Sequence, residues 1–142
     1  MKKRLVSISY CVSIMAAVVM LNSCSMLGLG GDPKFKIKVK TDKYVNNGNN
    51  FYLLVVQDDS KNYIGNNYYS LYSQFNNDKY KKYFITPKYK STYLFYYTYD
   101  NSKPISLYFL FNSESRQWKK RVKVGVESVI VEVNNNIISS GN

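Results

Sequence analysis

Residues 34–40 read KFKIKVK, a strict alternation of four lysines with Phe35, Ile37 and Val39. Only an extended strand puts every second residue on the same side, so one face of this segment is apolar and the other cationic. The segment predicts a strand packed on one side, and its outward lysines suit an edge that must resist pairing with another chain. The next stretch, TDKYVNNGNN at 41–50, holds an Asn-Gly pair suited to a tight turn but is too long for a two-residue hairpin, so it predicts a protruding loop. FYLLVV at 51–56 follows as an unbroken run of β-favouring apolar residues, the pattern of a central strand covered on both faces.

Between Tyr63 and Phe75 the period changes. Tyr68, Leu71, Tyr72 and Phe75 fall at i, i+3, i+4 and i+7, which predicts one face of a short helix with Asn66 or Asn67 as its N-cap. Aromatic residues at that spacing cover a sheet more often than they line a ligand site. Strand-like runs then resume at Tyr80 to Thr86, Thr92 to Tyr99, Ile105 to Phe111, Gln117 to Val124 and Ser128 to Val133. Pro87, DNSK at 100–103, NSES at 112–115 and Gly125 separate them. Seven strands with turn signals between most of them imply an all-β fold, a two-sheet antiparallel β-sandwich with one short helical insertion.

Ahead of this domain the chain is of another kind. MKKR is cationic, and the 17 residues from Leu5 to Leu21 carry no charge and are dominated by Val, Ile, Met, Leu and Ala. That order is the n-region and h-region of an export signal, and a run this short with no cationic cluster directly after it reads as cleaved. Leu21-Asn22-Ser23-Cys24 resembles the lipobox of bacterial lipoproteins, which implies residues 1–23 as signal peptide and Cys24 as the lipidated start of the mature chain. The alternative is an uncleaved apolar anchor in which Cys24 is merely a small residue. The modification would be a covalent S-diacylglycerol with an N-acyl chain. One acyl chain holds a protein to a bilayer only marginally, while two or more hold it stably, at about 0.8 kcal/mol per buried methylene. Ser25, where an Asp would signal inner-membrane retention, favours the outer membrane with the domain in the periplasm, by similarity to sorted lipoproteins. Residues 24–33 are then the anchor and a Gly-containing tether, and 34–142 the folded domain.

The 119 residues from Cys24 to Asn142 suffice for one domain, and they carry 17 Lys and Arg against 9 Asp and Glu, a formal charge of +8. Such basicity raises nucleic acid as a partner. The cations are scattered along strands, however, and an exported lipoprotein does not ordinarily meet nucleic acid. Abundant Lys, Asn, Tyr and Ile also follow from AT-rich coding sequence, so much of the charge is expected to be solvated surface. A milder functional reading is attraction to anionic headgroups near the anchor, worth up to about 1 kcal/mol per cation held close and fading with salt.

The chain has no histidine, which removes the commonest general base, proton shuttle and metal ligand together. The one thiol of the mature chain is expected to be acylated, so thiolate catalysis, thiolate metal sites and an internal disulfide go too. Asp58 and Asp59 are adjacent at a strand-to-loop transition, where carboxylates point apart. Asp58, Ser60 and Asn62 match the early positions of a calcium loop, but the terminal acid is missing. No phosphate-cradling glycine motif follows any strand. The expectation is a binding protein with no enzymatic activity, no metal, no cofactor and no small-molecule substrate.

The order of features, from lipobox and tether through an alternating first strand, a long first loop and the helical YYSLYSQF to YFLFNSESRQWKKRVKV, resembles the type VI secretion outer-membrane lipoprotein family, TssJ or SciN. Its Lys- and Asn-rich composition is similar to the divergent IglE branch of the Francisella pathogenicity-island system. Tyr69, Ser70, Leu71 and Tyr72 match the family's helical pattern, and Phe109 to Asn112, Trp118 and Lys119 match its strand, turn, Trp and basic residue. TPKYKS at 86–91 departs from the usual Pro-Gly-acid turn. The resemblance implies a transthyretin-like sandwich that anchors a trans-envelope complex by holding the periplasmic part of an IcmF/TssM-type inner-membrane protein. It also implies that the first loop, Asp42, Lys43, Tyr44, Val45, Asn46, Asn47, Gly48 and Asn49, is the partner-contacting element. Tyr44 and Val45 would bury apolar area while Lys43 and the amides orient the partner. That loop is equally readable as an idle excursion, and Trp118 as core or interface. Two rival functions remain: a lipoprotein capturing a soluble target such as a cell-wall hydrolase through a tyrosine-rich surface, and a structural lipoprotein that binds peptidoglycan.

Overall fold

The computed structural model describes residues 31–141; the apolar leader, Cys24 and most of the tether lie outside them. Eight strands alternate between two sheets. In chain order they are β1 (Lys34–Thr41), β2 (Phe51–Gln57), β3 (Lys81–Ile85), β4 (Ser91–Thr98), β5 (Ile105–Leu110), β6 (Lys119–Val122), β7 (Ser128–Asn134) and β8 (Ile137–Ser140). One sheet runs β4-β1-β7-β8 and the other β3-β2-β5-β6. Two short helices, α1 (Ser60–Gly65) and α2 (Tyr68–Ser73), fill the connection between β2 and β3.

The two-sheet all-β architecture agrees with the sequence pattern, and three details correct it. First, β1 is an interior strand: it pairs antiparallel with β4 and parallel with β7, with Lys38 opposite both Leu94 and Ile130. Its lysines therefore mark the solvent face of a sheet. Alternation reports which side of a strand is wet and carries no information on whether the strand has neighbours. Second, an eighth strand exists. Asn135 and Asn136 both have positive φ, 48° and 62°, which makes a two-residue turn of the hairpin type between Asn134 and Ile137. Third, the helical insertion contains α1 as well as α2, because Asp59 caps it by accepting from the Asn62 amide at 2.7 Å.

The core between the sheets comes from the alternation read in the sequence. Phe35, Ile37 and Val39 of β1 and Leu53 and Val55 of β2 are fully buried, as are Leu107 and Phe109 of β5. Phe51 joins Phe109 and Phe111 with ring centroids 6.5 and 5.0 Å apart. Every buried apolar residue described lies between Phe35 and Ile138, so the core closes within the unit of residues 32–142.

A second apolar layer lies on the other side of β3-β2-β5-β6. All six residues of β5 are buried, which requires cover on both faces, and β2 matches it as FYLLVV predicts. The cover is aromatic: Tyr108 meets Tyr63 at 6.0 Å, Trp118 at 5.8 Å and Tyr80 at 6.4 Å between centroids, and Tyr52 meets Phe75 at 4.8 Å. Trp118, 6 % exposed, is a core residue of this layer. It precedes β6, so strand alternation does not govern it, and Val124, which that alternation would bury, is exposed.

Polar groups inside this layer are paired. Asp58 accepts from Ser106 Oγ and from the Tyr108 hydroxyl at 2.7 Å, with Arg121 at 3.9 Å. Asn66, one of the two cap candidates, donates to that same hydroxyl at 3.1 Å, while Asn67 is the cap of α2, accepting from the Ser70 amide at 2.8 Å. Lys119 closes the end of α1 by donating to the carbonyls of Tyr63 and Asn66 at 2.8 and 2.9 Å. Burial holds the Tyr108 and Tyr68 hydroxyls well above the usual phenol range and the Lys119 amine below its own. Asp58 and Asp59 do point apart, one into the sheet and one to a helix end, and both are committed to the fold.

Candidate partner-binding site

The loop between β1 and β2 is built on asparagine. Asn46 and Asn47 have φ of 52° and 54° and Gly48 of 76°, three left-handed residues in succession. Asn and Gly tolerate that conformation where β-branched residues do not, so NNG encodes a reversal. The turn closes with the Asn49 amide donating to the Asn46 carbonyl at 3.0 Å.

Asn46 is the keystone of this end of the sandwich. It is fully buried, and its Nδ2 donates to the carbonyls of Asn49 and Asn50 at 3.1 and 2.9 Å. Its Oδ1 accepts from the Asn112 amide at 2.7 Å, in the connection from β5 to β6. Its backbone amide donates to Asn136 Oδ1 at 2.5 Å, in the β7–β8 turn. One side chain and its own amide thus tie three loops together. Next to Asn112, the Phe111 carbonyl accepts from the hydroxyls of both Tyr68 and Tyr72, which fastens α2 to the same end.

Within the loop the structure divides the predicted contact residues in two. Val45 is 1 % exposed and Asn46 not at all, so these two are framework and offer no surface to a partner. Lys43, Tyr44, Asn47, Gly48 and Asn49 are exposed, and Asp42 is partly so. Tyr44 is 69 % exposed, with Lys43 Nζ 4.7 Å from its ring centroid. Tyr69 and Tyr72 of α2, 72 % and 44 % exposed, present further aromatic surface on the neighbouring element. Sequence reading singled out Tyr69 and Tyr72 as a motif but not Asn112 and Asn136, whose roles depend on loops far apart in the chain. The positive-φ signature of NNN at 134–136 was the one available clue.

Chemically this is a recognition platform. Its exposed groups are an aromatic ring, an amine and amides, and the loop is already ordered by its own hydrogen bonds. Less conformational freedom is left to lose on binding, which favours affinity. Among the described residues no cluster of three or more acidic, His or Cys side chains is placed to hold a metal ion.

A model of the IglE N-terminal domain matches residues 52–133, more than half of the chain. No curated protein matches significantly in sequence. Among solved structures, Serratia marcescens Lip, a membrane-bound component of the type VI secretion system, superposes with a TM-score of 0.63 at 8 % identity, covering 79 % of this chain and 99 % of its own. The type VI secretion lipoprotein TssJ1 of Pseudomonas aeruginosa gives 0.57 at 11 % identity, covering 77 % and 95 %. A chain from the structure of the TssM C-terminal domain (869–1107) from EAEC gives 0.61 at 10 % identity, covering 77 % and 98 %. At these identities the likeness is one of fold.

Proposed function

The chain belongs to the IglE family, with the sandwich of TssJ-like type VI secretion lipoproteins, and on that premise we propose that it is a lipid-anchored envelope component of a type VI-like secretion machine. Acylated Cys24 holds it to the outer membrane, and the sandwich stands in the periplasm. There the loop at 42–49 grips the periplasmic part of an IcmF/TssM-type inner-membrane protein. The observation that carries this reading is the stapled loop: Asn46 is spent entirely on holding it, while Lys43 and Tyr44 are held outward and free of the core. Rigid presentation of an aromatic beside a cation is the arrangement of an interface hot spot. The protein acts by binding and needs no catalytic group.

Detergent extracts of membranes carrying the tagged full-length protein test this. A large inner-membrane protein should co-purify, and changing Lys43 and Tyr44 together to Ser and Ala should weaken that association by about 2 kcal/mol or more without altering the melt. Recovery of only a soluble hydrolase, or of peptidoglycan, would instead establish one of the two rival functions. Cys24→Ser should leave the sandwich folded and move it from the membrane to the soluble fraction. A variant that stays in the membrane would show the apolar leader to be the anchor.

A further inference from the structure

The two sheets have different outer faces. That of β3-β2-β5-β6 is roofed by α1, α2 and their aromatics. That of β4-β1-β7-β8 carries no such layer among the described residues. Its outward positions can be read from the register: Lys34, Lys36, Lys38 and Lys40 lie opposite Thr98, Tyr96, Leu94 and Thr92 on one side, and Lys36, Lys38 and Lys40 lie opposite Ser128, Ile130 and Glu132 on the other. Glu132 is the one carboxylate at these positions, and it pairs with Lys40 at 2.6 Å. Lys34, Lys36 and Lys38 have no acidic neighbour there. Leu94 and Tyr96, 47 % and 52 % exposed, flank them.

We propose that this bare face, centred on Lys34, Lys36 and Lys38, docks the sandwich against an anionic phospholipid bilayer. Three features favour a bilayer. The cations form a ladder along a central strand, so they are spread over a broad face where many headgroups can meet them at once. The apolar and aromatic residues among them, Leu94, Tyr96 and Ile130, suit the headgroup boundary, where amphipathic rings settle. The strand that bears them also begins ten residues after Cys24, so a lipid there confines the ladder to within about 35 Å of the membrane. This last argument rests on the anchoring reading; the charge and shape of the face do not.

The test uses the unacylated unit 32–142, which contains the whole core, and vesicles of phosphatidylethanolamine with and without phosphatidylglycerol. Co-sedimentation should require phosphatidylglycerol and fade with added salt. Replacing Lys34, Lys36 and Lys38 by Gln should lower it on the order of 100-fold. Replacing Lys61, Lys79 and Lys82, which belong to the roofed side, removes the same charge and should leave most of the binding. The melts of both variants should match that of the parent. Equal loss in both variants, indifference to phosphatidylglycerol, or equally tight and equally Lys34-dependent binding to polyglutamate would overturn the proposal. Because neither an acyl chain nor a secretion partner is present, such a failure would leave the anchoring and the loop contact of Lys43 and Tyr44 untouched.

Discussion

The outer faces of the two sheets were given opposite chemistry by neighbouring strands of similar length. On β2 and β5 both sides of the strand are apolar, and the chain spends residues 58–80 roofing the second side with Tyr63, Tyr68, Leu71, Phe75 and Tyr80. On β1 every second residue is lysine, and the sheet is left bare. The roofed face is stability, since its side chains are buried and its polar atoms paired. The bare face is surface, since its cations keep their water and contribute little to folding. Mutations should therefore divide the two faces sharply.

The largest expected effect is alkaline. Tyr68, Tyr108 and Tyr63 all belong to the roof, and burial raises each above the value of about 10 for a free phenol. A raised folded value means that the unfolded chain loses its protons first. The stabilisation is complete below about pH 10 and is lost as pH climbs beyond it. Near-UV circular dichroism against pH should show the roof signal collapsing in that range, and a flat profile to pH 12 would refute the sealed roof. Next, Leu71→Ala, at a fully buried position, should cost about 2–5 kcal/mol in chemical denaturation.

Asn46→Ala comes third, at about 2–3 kcal/mol, because it strands the Asn112 amide and forces Ala into a left-handed turn. It should also weaken partner capture, although Asn46 is itself buried. Asn67→Ala removes the cap of α2 and should cost about 1 kcal/mol. Last, Lys36→Ala on the bare face should change stability by no more than about 0.5 kcal/mol. A larger loss there would mean that the two faces are not distinct in kind.

Much of this was legible beforehand. Each strand from β1 to β7 falls within two residues of its predicted ends, because strand alternation and turn residues are local signals. The double cover of β2 was legible in FYLLVV for the same reason. What failed was neighbourhood. KFKIKVK looked like an edge and is a centre, since its partners Tyr96 and Ile130 lie about 60 and 90 residues away. In the candidate site, Lys43 and Tyr44 stood out by type, whereas Val45 and Asn46 were grouped with them although they point inward. Loop residues have no period from which burial could be inferred.

The sequence by itself determined an all-β domain, the apolar face of each strand, the helical cover and the reversal at NNG, because each depends on residues within a turn or two of one another. The tertiary structure alone decided that β1 runs beside β7, that one asparagine binds three loops, and that the lysines stand together on an open face. Those facts follow from chain segments brought together across the sandwich, and the free energy that selects the pairing is shared by the whole core rather than written in any one stretch.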